Sequence, residues 1–310
     1  MCAKERGVNI GLRARGWLAL ERFASGIRRR DVNVDSLSVP YLEAGTGPVL
    51  VLLHGFGADG YHFARVAKHL RGRFRVLCPD LPGFGNASRD RRLRHDIPSQ
   101  AAHVVRFLDA LGIQRAHIGG NSMGGFVAAQ IAIDQPDRVS SLWLLNALGC
   151  PTALQSEMFA SYTREGHLPL LVRSKADFDR LVSMVTAKAV LMPRSLREAY
   201  AKRAIADLPL HTDILDELTQ HSPPLTAQKA IAELPVCIVW GARDRILSPA
   251  CVVEQQTVFP NHQIVMMPDV GHLPMIESPA QTARDYLRFF DAKVAGSGGS
   301  LSASSKSTNR

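Results

Sequence analysis

The sequence predicts an α/β protein built on a mostly parallel, doubly wound sheet, and three observations carry that prediction. Short apolar runs alternate with amphipathic stretches of helical spacing along most of the 310 residues. The runs 49–53 and 236–240 are apolar throughout, as is typical of parallel strands covered on both faces. Glycine-rich or polar loops follow these runs. Alternation of this kind forms right-handed crossovers, which place helices on both faces of one sheet.

The predicted elements follow one another regularly from residue 31. Alternating and β-branched residues predict an opening pair of strands over 32–43. Four more strands are predicted over 49–53, 75–78, around 116–118 and over 139–145. Between them, apolar residues recur at i, i+3, i+4 and i+7 after residue 60, and a further helix begins at Pro98. The chain thus reaches its sixth strand before residue 147.

The regular order breaks after that sixth strand. Residues 148–228 contain helix-like stretches and no clear strand, and the longest predicted helix covers 172–192. We interpret 148–228 as a helical cap inserted over the C-terminal edge of the sheet. Two segments, 31–147 and 229–292, then form the core, and the second adds two strands and two helices.

Most of the net charge of +9 lies at the two ends of the chain. Residues 1–30 hold eight Lys and Arg against two Glu, and they predict a basic arm or an amphipathic helix. Trp17, Leu20, Ala24 and Ile27 recur at helical spacing, so this helix would either contact an anionic membrane peripherally or cover an edge of the sheet. The Gly- and Ser-rich tail 296–310 is predicted to be disordered. The near-neutral remainder argues against a nucleic-acid groove in the fold, so we expect no nucleic-acid partner.

The cysteines and the apolar runs indicate the cellular compartment in which the protein is expected. No run approaches the roughly 20 apolar residues of a membrane span, and the basic start lacks the apolar block of a signal peptide. The five Cys are odd in number and form no C-x-x-C pair, which indicates reduced thiols rather than disulfides or a metal site. We therefore expect a cytoplasmic protein, with peripheral membrane association if the N-terminal arm binds lipid.

The most informative motif is Gly-Asn-Ser-Met-Gly-Gly at 120–125. A G-x-S-x-G pattern between an apolar strand and a helix predicts a sharp turn that exposes the serine hydroxyl at the edge of the sheet. Ser122 is then a candidate nucleophile. The backbone N–H of Met123 is a candidate donor to the oxyanion that forms during acyl transfer.

A serine nucleophile needs a histidine base, which in turn needs an acid to orient it. Asp244 and His272 follow Ser122 in sequence, and each comes just after a predicted strand. Parallel strands end at the same edge of a sheet, so these side chains should meet. The loop after the strand 49–53 should supply a second oxyanion donor, for which Phe56 is the candidate.

Other residues compete for these roles. Asn146 follows a strand where some hydrolases carry the acid, but an amide cannot be an anion. Asp80 also follows a strand, yet its Pro-Asp-Leu-Pro-Gly setting predicts a carboxylate that caps backbone N–H groups in a turn. His54 precedes the oxyanion loop and is better interpreted as orienting that loop than as the base.

These motifs resemble those of the α/β-hydrolase superfamily over residues 30–292. Within it, the blocks 53–58, 79–85, 119–125 and 265–272 resemble bacterial lipases of the Moraxella and Psychrobacter type and animal monoacylglycerol lipases. The resemblance implies hydrolysis of a small-molecule acyl ester through an acyl-enzyme, without metal or cofactor. It implies Ser122 as nucleophile, with Asp244 and His272 as acid and base. It also implies the N–H groups of Phe56 and Met123 as oxyanion donors.

Apolar residues in and near the cap are expected to form the acyl pocket. The candidates are Leu148, Met158, Phe159, Leu170 and Met184 of the cap, and Leu273 after the base. Two other functions stay open. Hydrolases that cut carbon–carbon bonds of ring-cleavage products share the Gly-Asn-Ser-Met-Gly-Gly motif but often carry Trp at the position of Leu273. The second open function is a ligand receptor built on a hydrolase scaffold. The sequence does not indicate the oligomeric state.

Overall fold

A computed structural model describes residues 11–295, which are organised around one eight-stranded sheet. The strands are β1 (Arg28–Val34), β2 (Leu37–Ala44), β3 (Val49–Leu53), β4 (Arg75–Pro79), β5 (Ala116–Asn121), β6 (Val139–Leu145), β7 (Val236–Gly241) and β8 (His262–Met267). Their order across the sheet is β1-β2-β4-β3-β5-β6-β7-β8. Strand β2 runs antiparallel to β1 and β4, and all other neighbours are parallel. The predicted mostly parallel sheet is confirmed.

Helices cover both faces of this sheet. They are α1 (Leu12–Ser25), α2 (Ala64–Leu70), α3 (Ile97–Ala110), α4 (Met123–Asp134), α5 (Glu157–Glu165), α6 (Lys175–Val185), α7 (Arg194–Ala206), α8 (Leu208–His221), α9 (Cys251–Val258), α10 (Pro274–Glu277) and α11 (Pro279–Phe289). Successive residues of β3 point to opposite faces, as in any strand. Val51 and Leu53 pack with α3, α4 and α9, whereas Leu50 and Leu52 pack with α2 and α11.

Helices α5 to α8 lie in the segment 148–228 between β6 and β7, which we call the cap. The predicted helix over 172–192 is too long, because α6 covers only Lys175–Val185. The side chain of Ser174 caps its start by accepting a hydrogen bond from the Asp177 N–H, and Thr186 ends it in an extended conformation. Thr186 is β-branched, which disfavours helix, and the chain stays non-helical up to Pro193, the N-cap of α7.

Two buried ion pairs join the cap to the core. Arg203 of α7 contacts Asp59 after β3 at 3.0 Å, and Arg89 contacts Asp207 at the start of α8 at 2.7 Å. None of the four side chains is more than 14% exposed. Breaking such a pair leaves a buried charge without its partner, which typically costs about 3–5 kcal/mol. The cap is therefore held in one position over the carboxyl edge of the sheet.

The N-terminal helix α1 packs on α2 and on α7 of the cap. Its buried residues are Ala14, Leu18 and Ser25, so the side that packs on the protein is not the predicted face: on that face Leu20 is 57% exposed, and Ile27 lies beyond the helix. Both sides of α1 carry apolar residues, so spacing alone could not identify the inner one. Strand β1 begins at Arg28, so the predicted boundary at residue 30 falls inside that strand.

Two further points concern membrane-spanning helices and the two ends of the chain. Among residues 11–295, no helix has both the length and the apolar character that a bilayer span requires. The first ten residues and the predicted tail 296–310 lie outside the described part of the chain.

Candidate active site

Ser122 occupies the sharp turn between β5 and α4. Its backbone has φ 56° and ψ −121°, a strained conformation that lifts the side chain off the end of the strand. The turn requires small neighbours: a Cβ on Gly124 would lie 2.1 Å from the Leu53 carbonyl oxygen, and one on Gly120 would lie 2.3 Å from the Gly124 carbonyl carbon. The Ser122 N–H donates to the Leu145 carbonyl at 3.1 Å, which anchors the turn to β6.

Asp244 and His272 meet at the same edge of the sheet, in the loops after β7 and β8. The His272 Nδ1 lies 2.8 Å from Asp244 Oδ2. The other carboxylate oxygen, Oδ1, accepts the N–H groups of Ile246 at 2.8 Å and Leu247 at 3.0 Å. Both side chains are buried. A carboxylate on Nδ1 holds the proton there, which leaves Nε2 as the nitrogen that can accept one.

The two candidate oxyanion donors are the backbone N–H groups of Met123, next to Ser122 in the chain, and of Phe56, which lines the same cavity as Ser122. Met123 is the first residue of α4, so its N–H has no partner within the helix. Phe56 lies in the loop after β3, and the imidazole of His54 braces that loop. Its Nδ1 bonds the Gly55 carbonyl at 2.8 Å, and its Nε2 accepts the Leu81 N–H at 2.9 Å. Burial lowers the pKa of His54, so the ring stays neutral in this bracing role.

Asp80, the competing acid, occupies a different site from His272. Its two oxygens accept the N–H groups of Gly60 and Asn86, both at 2.8 Å. Burial, with the negative charge of Asp59 beside it, raises the pKa of Asp80 to about 6. The carboxyl group therefore braces the turn after β4, in the manner that its sequence setting predicts.

A large cavity opens onto Ser122 and His272. It contains about 1250 Å³ of empty space, part of it continuous with solvent. Apolar side chains of the cap form much of its wall, among them Val172, Phe178, Leu181, Val182, Val185 and Met192. Phe56 lines the cavity too. The serine and the histidine thus line a pocket that has the apolar wall that acyl chains require.

Comparison with known proteins decides the family. Residues 48–279 match the alpha/beta hydrolase fold family. The chain belongs to this family. Lipase 3 of Moraxella sp. (strain TA144) is 35% identical over 79% of this chain and 78% of its own. Lipase 1 of Psychrobacter immobilis is 33% identical over 84% of this chain and 85% of its own.

A solved structure of another enzyme is also similar to this chain. The crystal structure of a membrane phospholipase A, described as a bacterial virulence factor, superposes on this hydrolase with a TM-score of 0.86. The two are 36% identical, and the match covers 90% of each chain. This hydrolase is accordingly a serine ester hydrolase, and the predicted fold class and family resemblance are confirmed. The carbon–carbon hydrolase and the ligand receptor are not favoured.

Asn146 is part of this site, although the sequence presented it only as a residue unable to serve as the acid. It follows β6 with φ 45° and is fully buried. Its Nδ2 donates to Asp244 Oδ2 at 2.7 Å and to the Gly271 carbonyl at 3.3 Å, while its Oδ1 accepts the Gly241 N–H at 3.3 Å. One amide therefore links Asp244 to the loop that carries His272. Its position after β6, next to the strand of the acid, is the signal that could have identified it.

Glu277 of α10 is a second residue that sequence reasoning missed. Its carboxylate accepts the N–H groups of Gly271 at 3.0 Å and Leu273 at 3.3 Å, on either side of the base. It also accepts the Ala187 N–H of the cap at 2.7 Å. The base loop of the hydrolase is thus tied to the segment that follows α6. A single Glu in a short helix carries no pattern that would have revealed this.

The predicted acyl pocket needs correction at four of its six residues. Leu170 and Leu273 line the cavity, but Leu148, Met158, Phe159 and Met184 are not among its lining residues. Met158 and Met184 are 1% and 3% exposed and belong to the main core, and the other two pack against that core. Helical spacing indicated that these side chains are buried, but not which side of the cap faces the cavity.

The residues of α7 and α8 that line the cavity are more polar than those of α6. Tyr200 and Arg203 line it, and so does His211. The His211 ring packs against the rings of Phe56 and Phe84, with both centroid distances at 5.2 Å. Burial among these groups lowers the pKa of His211 to about 4.

Replacing His211 by Phe will make the stability of the hydrolase less sensitive to acid. The unfolded chain binds a proton on this ring more readily than the folded chain between pH 6.5 and about 4, so wild type loses stability as the pH falls through that window. The protonation of this ring lowers the free energy of unfolding of the wild type by about 3 kcal/mol in full, and about 2 kcal/mol of that loss occurs between pH 7 and pH 5. Urea unfolding at those two pH values measures it.

The control is His221→Phe, which changes an exposed histidine at the end of the same helix α8. Its free energy of unfolding should change with pH as that of the wild type does. If His211→Phe loses as much stability as the wild type between the two pH values, the buried neutral ring is not the cause.

Proposed function

We propose that this hydrolase cleaves apolar acyl esters of the monoacylglycerol kind through an acyl-enzyme on Ser122. One observation carries the proposal: Ser122 and His272 line a cavity that apolar cap residues also line, and Asp244 bonds the ring of His272. The two lipases and the phospholipase that resemble this chain support an acyl substrate.

In the proposed mechanism, the Ser122 Oγ attacks the ester carbonyl while His272 Nε2 takes its proton. Asp244 orients the ring and stabilises the imidazolium that forms. The N–H groups of Phe56 and Met123 hold the oxyanion, and His272 then gives the proton to the leaving alcohol. Water repeats the same steps on the acyl-enzyme and releases the acid.

The acyl chain would lie along α6 of the cap. Phe178, Leu181, Val182 and Val185 present one apolar wall of the cavity, and all four belong to this helix. Each buried methylene is worth about 0.8 kcal/mol, so a few added carbons raise transition-state binding by an order of magnitude or more. We therefore propose that the cap sets a preference for medium or long acyl chains.

The test is turnover of p-nitrophenyl esters and monoacylglycerols of increasing chain length, with Ser122→Ala as the blank. The proposal predicts serine-dependent kcat/KM values that rise from short to medium or long chains. Activity confined to short esters would contradict the proposed substrate class. Turnover of a ring-fission product without turnover of any ester would support carbon–carbon cleavage instead.

Replacing Leu181 by Trp will narrow the cavity and weaken that preference. We expect kcat/KM for a long-chain ester to fall about tenfold or more while that for a short ester changes little, because the indole would displace the distal methylenes of the long chain, each worth about 0.8 kcal/mol when buried. Ser183→Trp is the control, since Ser183 lies on the exposed side of the same helix. Equal losses on both esters would indicate a folding defect rather than a chain-length wall.

Esters of this kind collect at lipid surfaces. We propose that the hydrolase contacts such a surface peripherally through its N-terminal segment, residues 1–30. The basic charge of that segment supports this partner, as does the description of the similar phospholipase as a membrane protein.

A further inference from the structure

Helix α1 has a second apolar face, which points away from the protein. Ala14 and Leu18 are buried on the inner side. The residues opposite them follow at i, i+4, i+7, i+8 and i+11 and are all exposed: Leu12, Gly16, Ala19, Leu20 and Phe23. We call these five the outer stripe. Its three large side chains are 87%, 57% and 86% exposed in that order. Contiguous apolar exposure of this kind marks an interaction surface.

The charges around the outer stripe are mostly positive. Arg13 lies beside it on α1, and Arg28 and Arg29 follow in the chain at the start of β1. All three side chains are exposed. The one acidic residue of α1, Glu21, is half-buried and forms an ion pair with Arg65 at 3.1 Å. An apolar strip flanked by arginines complements an anionic lipid surface, where headgroups attract the cations and the interface accepts the apolar side chains.

The inner side of α1 rests on the wall of the cavity. Trp17 and Leu18 pack in one cluster with Met192 and Tyr200, and the last two line the cavity. Leu191, next to Met192, is 69% exposed. Arg65 joins it to α1, because the same guanidinium bonds Glu21 and the Leu191 carbonyl. The outer stripe therefore lies about one helix diameter, roughly 10 Å, from the substrate cavity.

We propose that the outer stripe and Leu191 enter the interface of an anionic phospholipid bilayer, which brings the cavity wall formed by Met192 and Tyr200 to the lipid surface. The docking follows from exposure and charge alone. Its use, to take up acyl esters from the membrane, rests on the proposed function. The outer stripe shares Leu20 with the predicted membrane face but is centred on Leu12, Gly16 and Phe23 rather than on Trp17 and Ile27.

The experiment measures sedimentation of the full-length protein with phosphatidylcholine vesicles, with and without phosphatidylglycerol. The apolar variant is Leu12→Gln/Leu20→Gln/Phe23→Gln. We expect its partition coefficient to fall about a hundredfold, since each exposed apolar side chain contributes on the order of 1 kcal/mol at an interface. The matched control carries Leu154→Gln/Val253→Gln/Met266→Gln, three exposed apolar residues on other elements, and should bind as the wild type does.

A charge variant separates the electrostatic part of the binding. Arg13→Gln/Arg28→Gln/Arg29→Gln should weaken the preference for phosphatidylglycerol vesicles and lower binding to them by about fivefold for each arginine. Thermal unfolding and turnover of a water-soluble short ester are measured on every variant. Both should match the wild type, because none of the substituted side chains lines the cavity.

Two outcomes would overturn the docking proposal. The first is unchanged vesicle binding by the apolar variant. The second is a wild-type dimer that binds no vesicles and that the apolar variant converts to monomers, which would make the outer stripe an interface between two copies. Because vesicle binding is measured without substrate, a failure of the ester assay would count against the proposed function and leave the docking result standing.

Discussion

Replacing Ser122 by Ala will lower kcat for a p-nitrophenyl ester by about a millionfold. The variant removes the only atom that would form the acyl bond, the serine Oγ. It keeps the backbone N–H of Met123 and the Asp244–His272 pair at 2.8 Å. Alanine tolerates φ 56° no worse than serine does, so the turn should hold its shape.

Ser183→Ala is the matched control for this change. It removes the same hydroxyl from an exposed position on α6 and should leave kcat unchanged. Thermal unfolding of both variants should stay near that of the wild type. Residual activity of Ser122→Ala above about one hundredth of the wild-type value would mean that another group is the nucleophile.

Replacing Asp244 by Asn will lower kcat by about ten thousandfold and change KM little. The asparagine oxygen can still accept the N–H groups of Ile246 and Leu247, so the loop keeps two of its hydrogen bonds. Its amide nitrogen then faces two donors, the Nδ1 of His272 and the Nδ2 of Asn146. The imidazole either turns or changes tautomer, and Nε2 can no longer take the serine proton.

The control for Asp244→Asn is Asp269→Asn. Asp269 lies three residues before the base and forms an exposed ion pair with Arg243. Exposed pairs contribute about 0–1 kcal/mol, so this variant should retain kcat and stability within a few-fold. If both variants lost activity equally, the effect would come from a disturbed base loop and not from the missing carboxylate.

The strand ends explain why much of the site could be predicted from the sequence. Ser122, Asp244 and His272 each follow a buried strand, and parallel strands end at one edge of the sheet. Chain order and one physical rule therefore brought together side chains that are up to 150 residues apart, the separation of Ser122 and His272. The glycines of the turn were equally informative, because the close approach of Gly124 to Leu53 excludes a side chain.

The cap was predicted less well because its geometry is set by tertiary packing. Met158 and Leu181 both have the apolar character of buried cap residues, yet the first lies in the core and the second lines the cavity. The helical periodicity of apolar residues indicates that a side chain is buried, but it does not indicate which neighbour buries it. On α1 the same ambiguity hid the inner face, because Leu18 and Leu20 have the same chemistry and opposite exposures.

Polar positioning residues were missed for another reason. Asn146 donates a hydrogen bond to Asp244, which lies far from it in the chain. Glu277 accepts one from the N–H of Gly271, which lies in a loop of no regular pattern. The residue types are ordinary, and only the three-dimensional arrangement shows which groups they hold.

The most direct test of the central claim is the mass of the enzyme during turnover. A p-nitrophenyl ester of medium chain length is mixed with the hydrolase, the reaction is stopped in acid on the millisecond scale, and peptides are analysed by mass spectrometry. We predict one acyl group on the peptide that contains Ser122, formed as rapidly as p-nitrophenol is released. Turnover with no acyl adduct at any time, or with the adduct on another residue, would contradict the account.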